Sequence, residues 1–204
     1  MGPPMIRGAE FSADRSMRFT LLRDWKYEQF EPVAGVMNII GLNPSDAGET
    51  RDDPTARKFV GFGKRWGYSS LVATNVIPVV TSDPWELPPW CGGYPENMKH
   101  VRHWMLHSEI VVCAWGSPPR AIRRTVAFHE YILMIEAYAD ELGIPLFCIG
   151  TTRDGSPLHP SRTAYTSRPE VWRAGPTEPA NEARVQPVRD KDPEVPRVEL
   201  SHPR

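Results

Sequence analysis

The chain has 204 residues, enough for one domain with its own hydrophobic core, and a formal net charge of −1 at pH 7. A charge so near zero excludes a strongly basic nucleic-acid-binding domain, so any attraction to DNA has to come from local patches. No apolar run approaches the roughly 20 residues that cross a bilayer, and the N-terminus lacks the basic and apolar segments of a signal peptide. We therefore expect a cytoplasmic monomer with no membrane partner.

The first element that the sequence predicts covers residues 17–25, which alternate as in an edge strand or one arm of a hairpin. Residues 1–16 show no comparable pattern, and we expect them to be flexible. Four later segments are short, almost continuously apolar and end at Gly or Pro, as buried strands of a parallel sheet do. Two of them contain Cys113 and Cys148, which indicates buried thiols rather than disulfides. The four segments are 35–42, 70–80, 109–116 and 144–150.

Three helices are predicted between these strands. The clearest has Asp53 as its N-cap, Pro54 in its first turn and Gly67 as its stop signal. The alternation of strand and helix predicts a three-layer α/β/α sandwich with a mostly parallel four-stranded sheet and right-handed crossovers, which we assign to residues 17–165. Residues 166–204 are rich in Pro and mixed charge, which predicts a disordered tail. The other two helices are predicted at 95–108 and 119–143.

Each of the four predicted parallel strands carries or leads into candidate site residues, and Asn75 is a polar residue within an otherwise apolar strand. Ligands of open α/β sheets bind outside the carboxyl ends of the strands, so we expect these residues to share one site. The first strand leads into an Asn-Pro-Ser turn, and the last leads through a Gly-containing loop into His-Pro-Ser-Arg. Two amides, an imidazole and a hydroxyl would thus converge at one edge. The residues are Asn43, Pro44 and Ser45, then Asn75, then Trp115, then His159, Ser161 and Arg162.

Several short motifs occur in an order that resembles a known family. GLNPS, DDPT, GFGKRWGY, PEN, AWG and HP follow one another as in the DUF1643 family. GLNPS, an Asn within the next strand, AWG and HPS also resemble the uracil-DNA glycosylase superfamily, of which we take that family to be a divergent branch. The resemblance covers residues 17–164. It implies a uracil-DNA-glycosylase-like fold that hydrolyses N-glycosidic bonds without metal or cofactor, with DNA or a nucleotide as its partner.

The resemblance also implies roles for individual residues. Asn43 would position the attacking water, and His159 would hydrogen-bond to the departing base oxygen. Asn75 would hydrogen-bond to the Watson–Crick edge of an extruded base. Asp52 and Asp53 are typical of the DUF1643 pattern and would hold a substrate amine, a ribose hydroxyl or a metal. The remaining predicted substrate contacts are Leu42, Pro44, Ser45 and Trp115, and the predicted DNA contacts are Lys64, Arg65, Ser161 and Arg162.

Other interpretations of the same residues stay open. Asn43 stands where the most active glycosylases have Asp, and an amide orients water but cannot act as a general base. The Asn-Pro-Ser turn is also a common way to end a strand, and Asp53 is also a helix cap. His103 and His107 have helical metal-clip spacing, yet the sequence offers no third ligand. Besides a glycosylase, the sequence is compatible with a non-catalytic module that binds a modified base or nucleotide, or with an enzyme acting on a free modified nucleotide.

Overall fold

The computed structural model describes residues 5–25, 34–88 and 94–173. Within them seven strands form a single mixed sheet. In chain order they are β1 (Ile6–Phe11), β2 (Arg18–Asp24), β3 (Ala34–Gly41), β4 (Tyr68–Asn75), β5 (Ile110–Cys113), β6 (Leu146–Cys148) and β7 (Glu170–Arg173). Their order across the sheet is β1-β2-β4-β3-β5-β6-β7.

The centre of the sheet consists of four parallel strands, one at each of the four predicted segments. β3 pairs in parallel with β4 and with β5, and β5 pairs in parallel with β6. The predicted total of four strands was wrong, because antiparallel strands extend the sheet on both sides. β1 and β2 form a hairpin on the β4 side, and β7 adds to β6. The segment 17–25 is therefore a hairpin arm and not an edge strand.

Both outer strands come from segments that we predicted to lack structure. β1 falls within residues 1–16 and pairs with β2 from Ile6↔Asp24 to Phe11↔Arg18. β7 falls within 166–204 and pairs with β6, which corrects the domain boundary at 165. Composition is a poor guide here, because a strand added to an existing sheet gains backbone hydrogen bonds without supplying a core of its own. Residues 174–204 of the predicted tail lie outside the described residues.

Helices cover both faces of the sheet and their ends follow local capping chemistry. Asp53 Oδ1 accepts a hydrogen bond from Ala56 N at 2.6 Å, and Gly67 ends the first helix with φ 87°, as predicted. The single helix predicted at 119–143 is divided, because Thr125 Oγ1 accepts from Phe128 N at 3.2 Å and starts a new helix. The helices are α1 (Pro54–Trp66), α2 (Pro95–Leu106), α3 (Arg120–Arg123) and α4 (Val126–Leu142).

Two hydrophobic cores, one on each face of the sheet, give the domain its three layers. Phe59 and Val60 of α1 pack on one face with Ile39 of β3, whereas the adjacent Ile40 belongs to the core formed with α2 and α4. This alternation is the two-residue period of a strand buried on both sides. From β3 the chain passes through α1 to β4 on one side, and then through α2 to β5 on the other. The loops after β3 and β5 therefore diverge, which places a topological switch point between these strands.

The long apolar segments of the described residues belong to these cores. Cys113 and Cys148 are free and buried, as predicted, while Cys91 lies outside the described residues. Burial raises the pKa of the Cys113 thiol well above its usual value, which keeps it protonated. Among residues 5–25, 34–88 and 94–173, no helix combines the length and apolar character that crossing a membrane requires.

Candidate functional site

A cavity of about 660 Å³ opens at the carboxyl edge of the parallel strands. The segments that follow β3, β4, β5 and β6 all contribute to its lining, as does the start of α1. This is the position expected for a ligand at the switch point between β3 and β5. Small-molecule sites typically measure roughly 300–1,000 Å³, so the cavity is large enough for a nucleoside.

Most of the predicted site residues meet in this cavity. Four do not line it, namely Pro44, Asp52, Lys64 and Arg65. The side chain of Arg162 lies outside what the structure describes. The eight that line the cavity are Leu42, Asn43, Ser45, Asp53, Asn75, Trp115, His159 and Ser161.

The Asn43 side chain stabilises the turn after β3 and also lines the cavity. Its Nδ2 donates to the carbonyl oxygens of Pro44 at 3.0 Å and of Thr81 at 2.9 Å. Both amide protons are thus engaged by the backbone, which leaves Oδ1 as an acceptor. The amide joins the loop after β3 to the loop after β4 and can still accept a hydrogen bond from water or a ligand.

Asn75 is the last residue of β4 and is only 3% exposed. With its amide oriented to satisfy hydrogen bonding, Nδ2 donates to the carbonyl oxygens of Thr74 and Asn43, both at 3.3 Å. The Oδ1 atom is then the acceptor of this amide. Gly41 leaves room for this side chain, because a Cβ at that position would lie 2.9 Å from the Asn75 amide.

His159 precedes a 3₁₀ turn at Pro160–Arg162, and its ring is held by that turn. Ser161 N donates to His159 Nδ1 at 3.3 Å, and Ser161 Oγ lies 2.8 Å from the same nitrogen. A neutral imidazole whose Nδ1 accepts a hydrogen bond carries its proton on Nε2. The arrangement therefore favours a histidine that donates from Nε2.

The loops after β5 and β6 lie close together around this histidine. Gly116 has φ 70°, a conformation that L side chains rarely adopt, and a Cβ there would lie 3.2 Å from His159 Cβ. Its N–H donates to Pro157 O at 2.9 Å. On the other side, the ring centroid of Phe59 in α1 lies 6.3 Å from that of His159. The glycine at the end of the AWG motif is thus needed for the close approach of the two loops.

The two adjacent acids that sequence analysis grouped together have different environments. Asp53 caps α1 and lines the cavity. Asp52 instead accepts a hydrogen bond from the buried Arg23 at 2.6 Å and lies 3.6 Å from Arg7. Of the pair, Asp53 is the one placed to meet a ligand.

Lys64 and Arg65 lie in the last turn of α1, whereas its first turn borders the cavity. At 1.5 Å per residue they are roughly 17 Å along the helix from Asp53. The Arg65 guanidinium lies 4.7 Å from the centroid of the Tyr165 ring, a cation–π contact. Contact of these two residues with DNA stays a prediction.

Several residues of the cavity wall are not among the site residues predicted from the sequence. Phe59 fits the apolar face of α1 and was indistinguishable from a core residue. Trp85 is 77% exposed at the rim, on a turn held by the 2.9 Å bond from Trp85 N to Asp83 Oδ1, and an aromatic residue in a Pro-containing polar turn is a usable signal. Arg120 and Arg123 also line the cavity, and Arg123 pairs with Asp154 at 2.8 Å.

Arg18, at the start of β2, is the most unexpected residue in the wall. It is 4% exposed, and its Nη1 donates to Ala47 O at 2.6 Å. Burial lowers its pKa to about 10, an effect that the charge of Asp53 partly offsets, so the guanidinium is still charged at neutral pH. β2 runs antiparallel to β4, which brings the first residue of β2 to the carboxyl edge of the parallel strands.

Comparison with known proteins identifies the chain by family only. No curated protein and no solved structure shows significant similarity to it. The model of the DUF1643 family, described as a protein of unknown function, matches residues 18–161. This range begins at Arg18 and ends at Ser161, so it includes all the described residues that line the cavity. The match covers well over half of the sequence, and the chain therefore belongs to the DUF1643 family.

Proposed function

We propose that the protein binds a nucleobase in this cavity and hydrolyses the N-glycosidic bond of a uracil-like or modified base in DNA. One observation carries the proposal: Asn43, Asn75 and His159, delivered by three separate strand ends, line the same cavity. The order of their motifs resembles that of the uracil-DNA glycosylase superfamily. The cavity of about 660 Å³ is large enough for a nucleoside, and an enzyme that acts on a base in a duplex has to extrude it from the stack to reach the bond.

Each of the three residues has a role that its hydrogen bonds allow. Breaking an N-glycosidic bond builds negative charge on the base and positive charge on the sugar. His159, with its proton on Nε2, donates to the base oxygen and stabilises the first charge. Asn43 Oδ1 accepts a hydrogen bond from the attacking water and orients it, and Asn75 Oδ1 accepts from an N–H of the base. Because an amide is no general base, we expect slow turnover.

The rim supplies groups suited to a nucleic-acid backbone. Arg120, Arg123 and Ser161 are exposed and border the cavity, where they can contact phosphates. The exposed indole of Trp85 offers a stacking surface at the same rim. With a net charge of −1 the whole protein gives little general attraction, so we expect DNA affinity to be weak and to fall steeply with salt.

A second candidate function is supported by Arg18 and Asp53. Two oppositely charged side chains in the wall suit a small polar ligand better than a plain base. This favours an enzyme or a non-catalytic binding protein for a free modified nucleotide.

Incubation with labelled oligonucleotides tests the first proposal. The substrates carry uracil, 5-hydroxymethyluracil or another modified pyrimidine in single or double strands, and alkali treatment then reveals abasic sites. We expect strand breaks with the wild type and at least about 100-fold fewer with Asn43→Ala or His159→Ala, since each removes a group that acts in the transition state.

His129→Ala is the matched control, because His129 is exposed on α4 and does not line the cavity. It should cleave like the wild type. Binding of modified DNA without breaks would favour the non-catalytic module. Affinity for free nucleotides, without affinity for any DNA, would favour the second candidate.

A further inference from the structure

Arg18 places a buried positive charge in the cavity wall, and no carboxylate of the described residues forms an ion pair with it. Its Nη1 donates to Ala47 O, whereas Nε is buried and has no hydrogen-bond partner in the part of the chain that the structure describes. A guanidinium has five N–H donors, and this one forms no ion pair with any described residue. A buried charge without a partner is costly, so such a group persists where something else compensates it.

Asp53 is the nearest source of compensation, but its carboxylate is already engaged. Its Oδ1 accepts the Ala56 N–H at 2.6 Å, and its charge faces the positive end of the α1 dipole. It acts on Arg18 only at a distance, without a contact within 4 Å. Asp53 therefore compensates the positive charge of Arg18 only in part. Arg120, at the rim, adds a second positive charge to the cavity.

A β-bulge turns Arg18 toward the cavity. Glu10 of β1 pairs with Thr20 and the next residue, Phe11, pairs with Arg18, so Phe19 is an extra residue in β2. A bulge reverses the alternation of side chains beyond it and is a common device for aiming a residue into a site. Arg18 thereby reaches the loop after β3 at Ala47, on the same side as Leu21, which also lines the cavity.

From this geometry we propose that Arg18 binds an anionic group of the ligand, a carboxylate or a phosphate, inside the cavity. The planar fork of a guanidinium matches both groups through paired N–H···O bonds. Where the proposal names the ligand, it rests on the proposed function: the substrate is then a nucleobase with an acidic substituent, or a nucleotide whose phosphate enters the cavity. A plain neutral base would leave the guanidinium unpaired.

Calorimetric titration with three nucleosides distinguishes these sources. The neutral compound is 2′-deoxyuridine. The two anionic compounds are 5-carboxy-2′-deoxyuridine and 2′-deoxyuridine 5′-monophosphate. We expect the wild type to bind one of the two anionic compounds about 10- to 100-fold more tightly than the neutral one. The preferred compound tells whether the anion is a base carboxylate or a phosphate. In Arg18→Gln the preference should fall to within about twofold, and Arg18→Lys should restore part of it because it keeps the charge but not the fork.

A thermal-shift series with inorganic phosphate and with acetate, at constant ionic strength set by chloride, tests Arg18 without any nucleobase. We expect phosphate or acetate to raise the melting temperature of the wild type and of Arg124→Gln, an exposed arginine that does not line the cavity. The rise should vanish in Arg18→Gln. Arg18→Lys serves as the second variant should Arg18→Gln not fold.

The two experiments separate the failure of each proposal. Stabilisation by the simple anions through Arg18, with no nucleoside binding, would uphold the role of Arg18 and reject the nucleobase. Equal affinity for neutral and anionic nucleosides would uphold the nucleobase and reject the role of Arg18. A charge preference or anion stabilisation that survives in Arg18→Gln but is lost in Arg120→Gln would also reject it, in favour of the rim.

Discussion

Two buried arginines on strand β2 show how differently one residue type can be used. Arg23 is fully buried and every one of its side-chain nitrogens has a partner. It joins β1, the strand itself and the loop 48–52, through Asp52 at 2.6 Å and backbone carbonyls that include Gly48 O at 2.7 Å. Arg18, at the other end of the same strand, makes one such bond and lines the cavity.

The difference teaches that burial alone does not separate a structural residue from a functional one. Both side chains are withdrawn from water, and burial lowers the pKa of both guanidinium groups. What separates them is whether the protein satisfies the donors. Arg23 has all its partners within the fold, whereas Arg18 has donors left over next to an open cavity.

The largest effect is expected at Arg23. Arg23→Gln leaves the partly buried Asp52 without its main partner and removes the guanidinium hydrogen bonds to the carbonyl oxygens of Gly48 and Arg51. Breaking one side of a buried ion pair typically costs about 3–5 kcal/mol, so we expect the free energy of unfolding to fall by roughly 3 kcal/mol in urea denaturation. Arg124→Gln, an exposed control, should change it by less than about 0.5 kcal/mol. Equal stability of the two variants would contradict the structural role of Arg23.

A smaller effect is expected at Asp53, whose negative charge acts on both arginines. Asp53→Ala removes the N-cap of α1 and should lower the free energy of unfolding by about 1–2 kcal/mol. Asp53→Asn keeps a good cap and should stay within about 0.5 kcal/mol of the wild type. Because it also removes the negative charge near Arg18, phosphate should bind a few-fold more tightly to this variant. Weaker phosphate binding to Asp53→Asn would contradict the charge balance described for Arg18.

The same comparison explains how far the sequence could predict the fold and the site. The parallel strands and the caps of α1 follow from local signals, such as the apolar run before Asn43 or the Asp53-Pro54 pair. The role of Arg18 does not, because two-residue alternation along 17–25 places Arg18 and Arg23 on opposite faces. The bulge at Phe19 overrides that alternation, and it results from pairing with β1, a strand that composition did not predict. Likewise, Asp52 and Asp53 share one predicted ligand role, and the sequence does not show that Arg23 binds Asp52.

Glu10 extends the comparison to a carboxylate of the same hairpin. Burial alone would raise its pKa, yet the hydrogen bond and charge of His100 and the Thr20 hydroxyl hold the pKa below its usual value. A lowered folded-state pKa stabilises the protein above the unfolded-state pKa, and this contribution is lost as the pH falls through the folded-state value. Glu10→Gln should therefore cost at most about 1 kcal/mol near pH 6, since Glu10 is partly exposed, and less near pH 3. Urea denaturation across this range checks it, and a cost independent of pH would contradict the pairing.

The smallest effect on stability is expected at Arg18, although its side chain is buried. Arg18→Gln loses one hydrogen bond to Ala47 O, worth about 1 kcal/mol, but it also removes a buried charge and an unpartnered donor. Because these contributions oppose each other, the free energy of unfolding measured in urea should stay within about 1 kcal/mol of the wild type. If Arg18→Gln lowered the free energy of unfolding as much as Arg23→Gln, Arg18 would be a structural residue like Arg23. An unchanged free energy of unfolding, together with loss of anion binding, would mean that Arg18 serves ligand binding and not the stability of the fold.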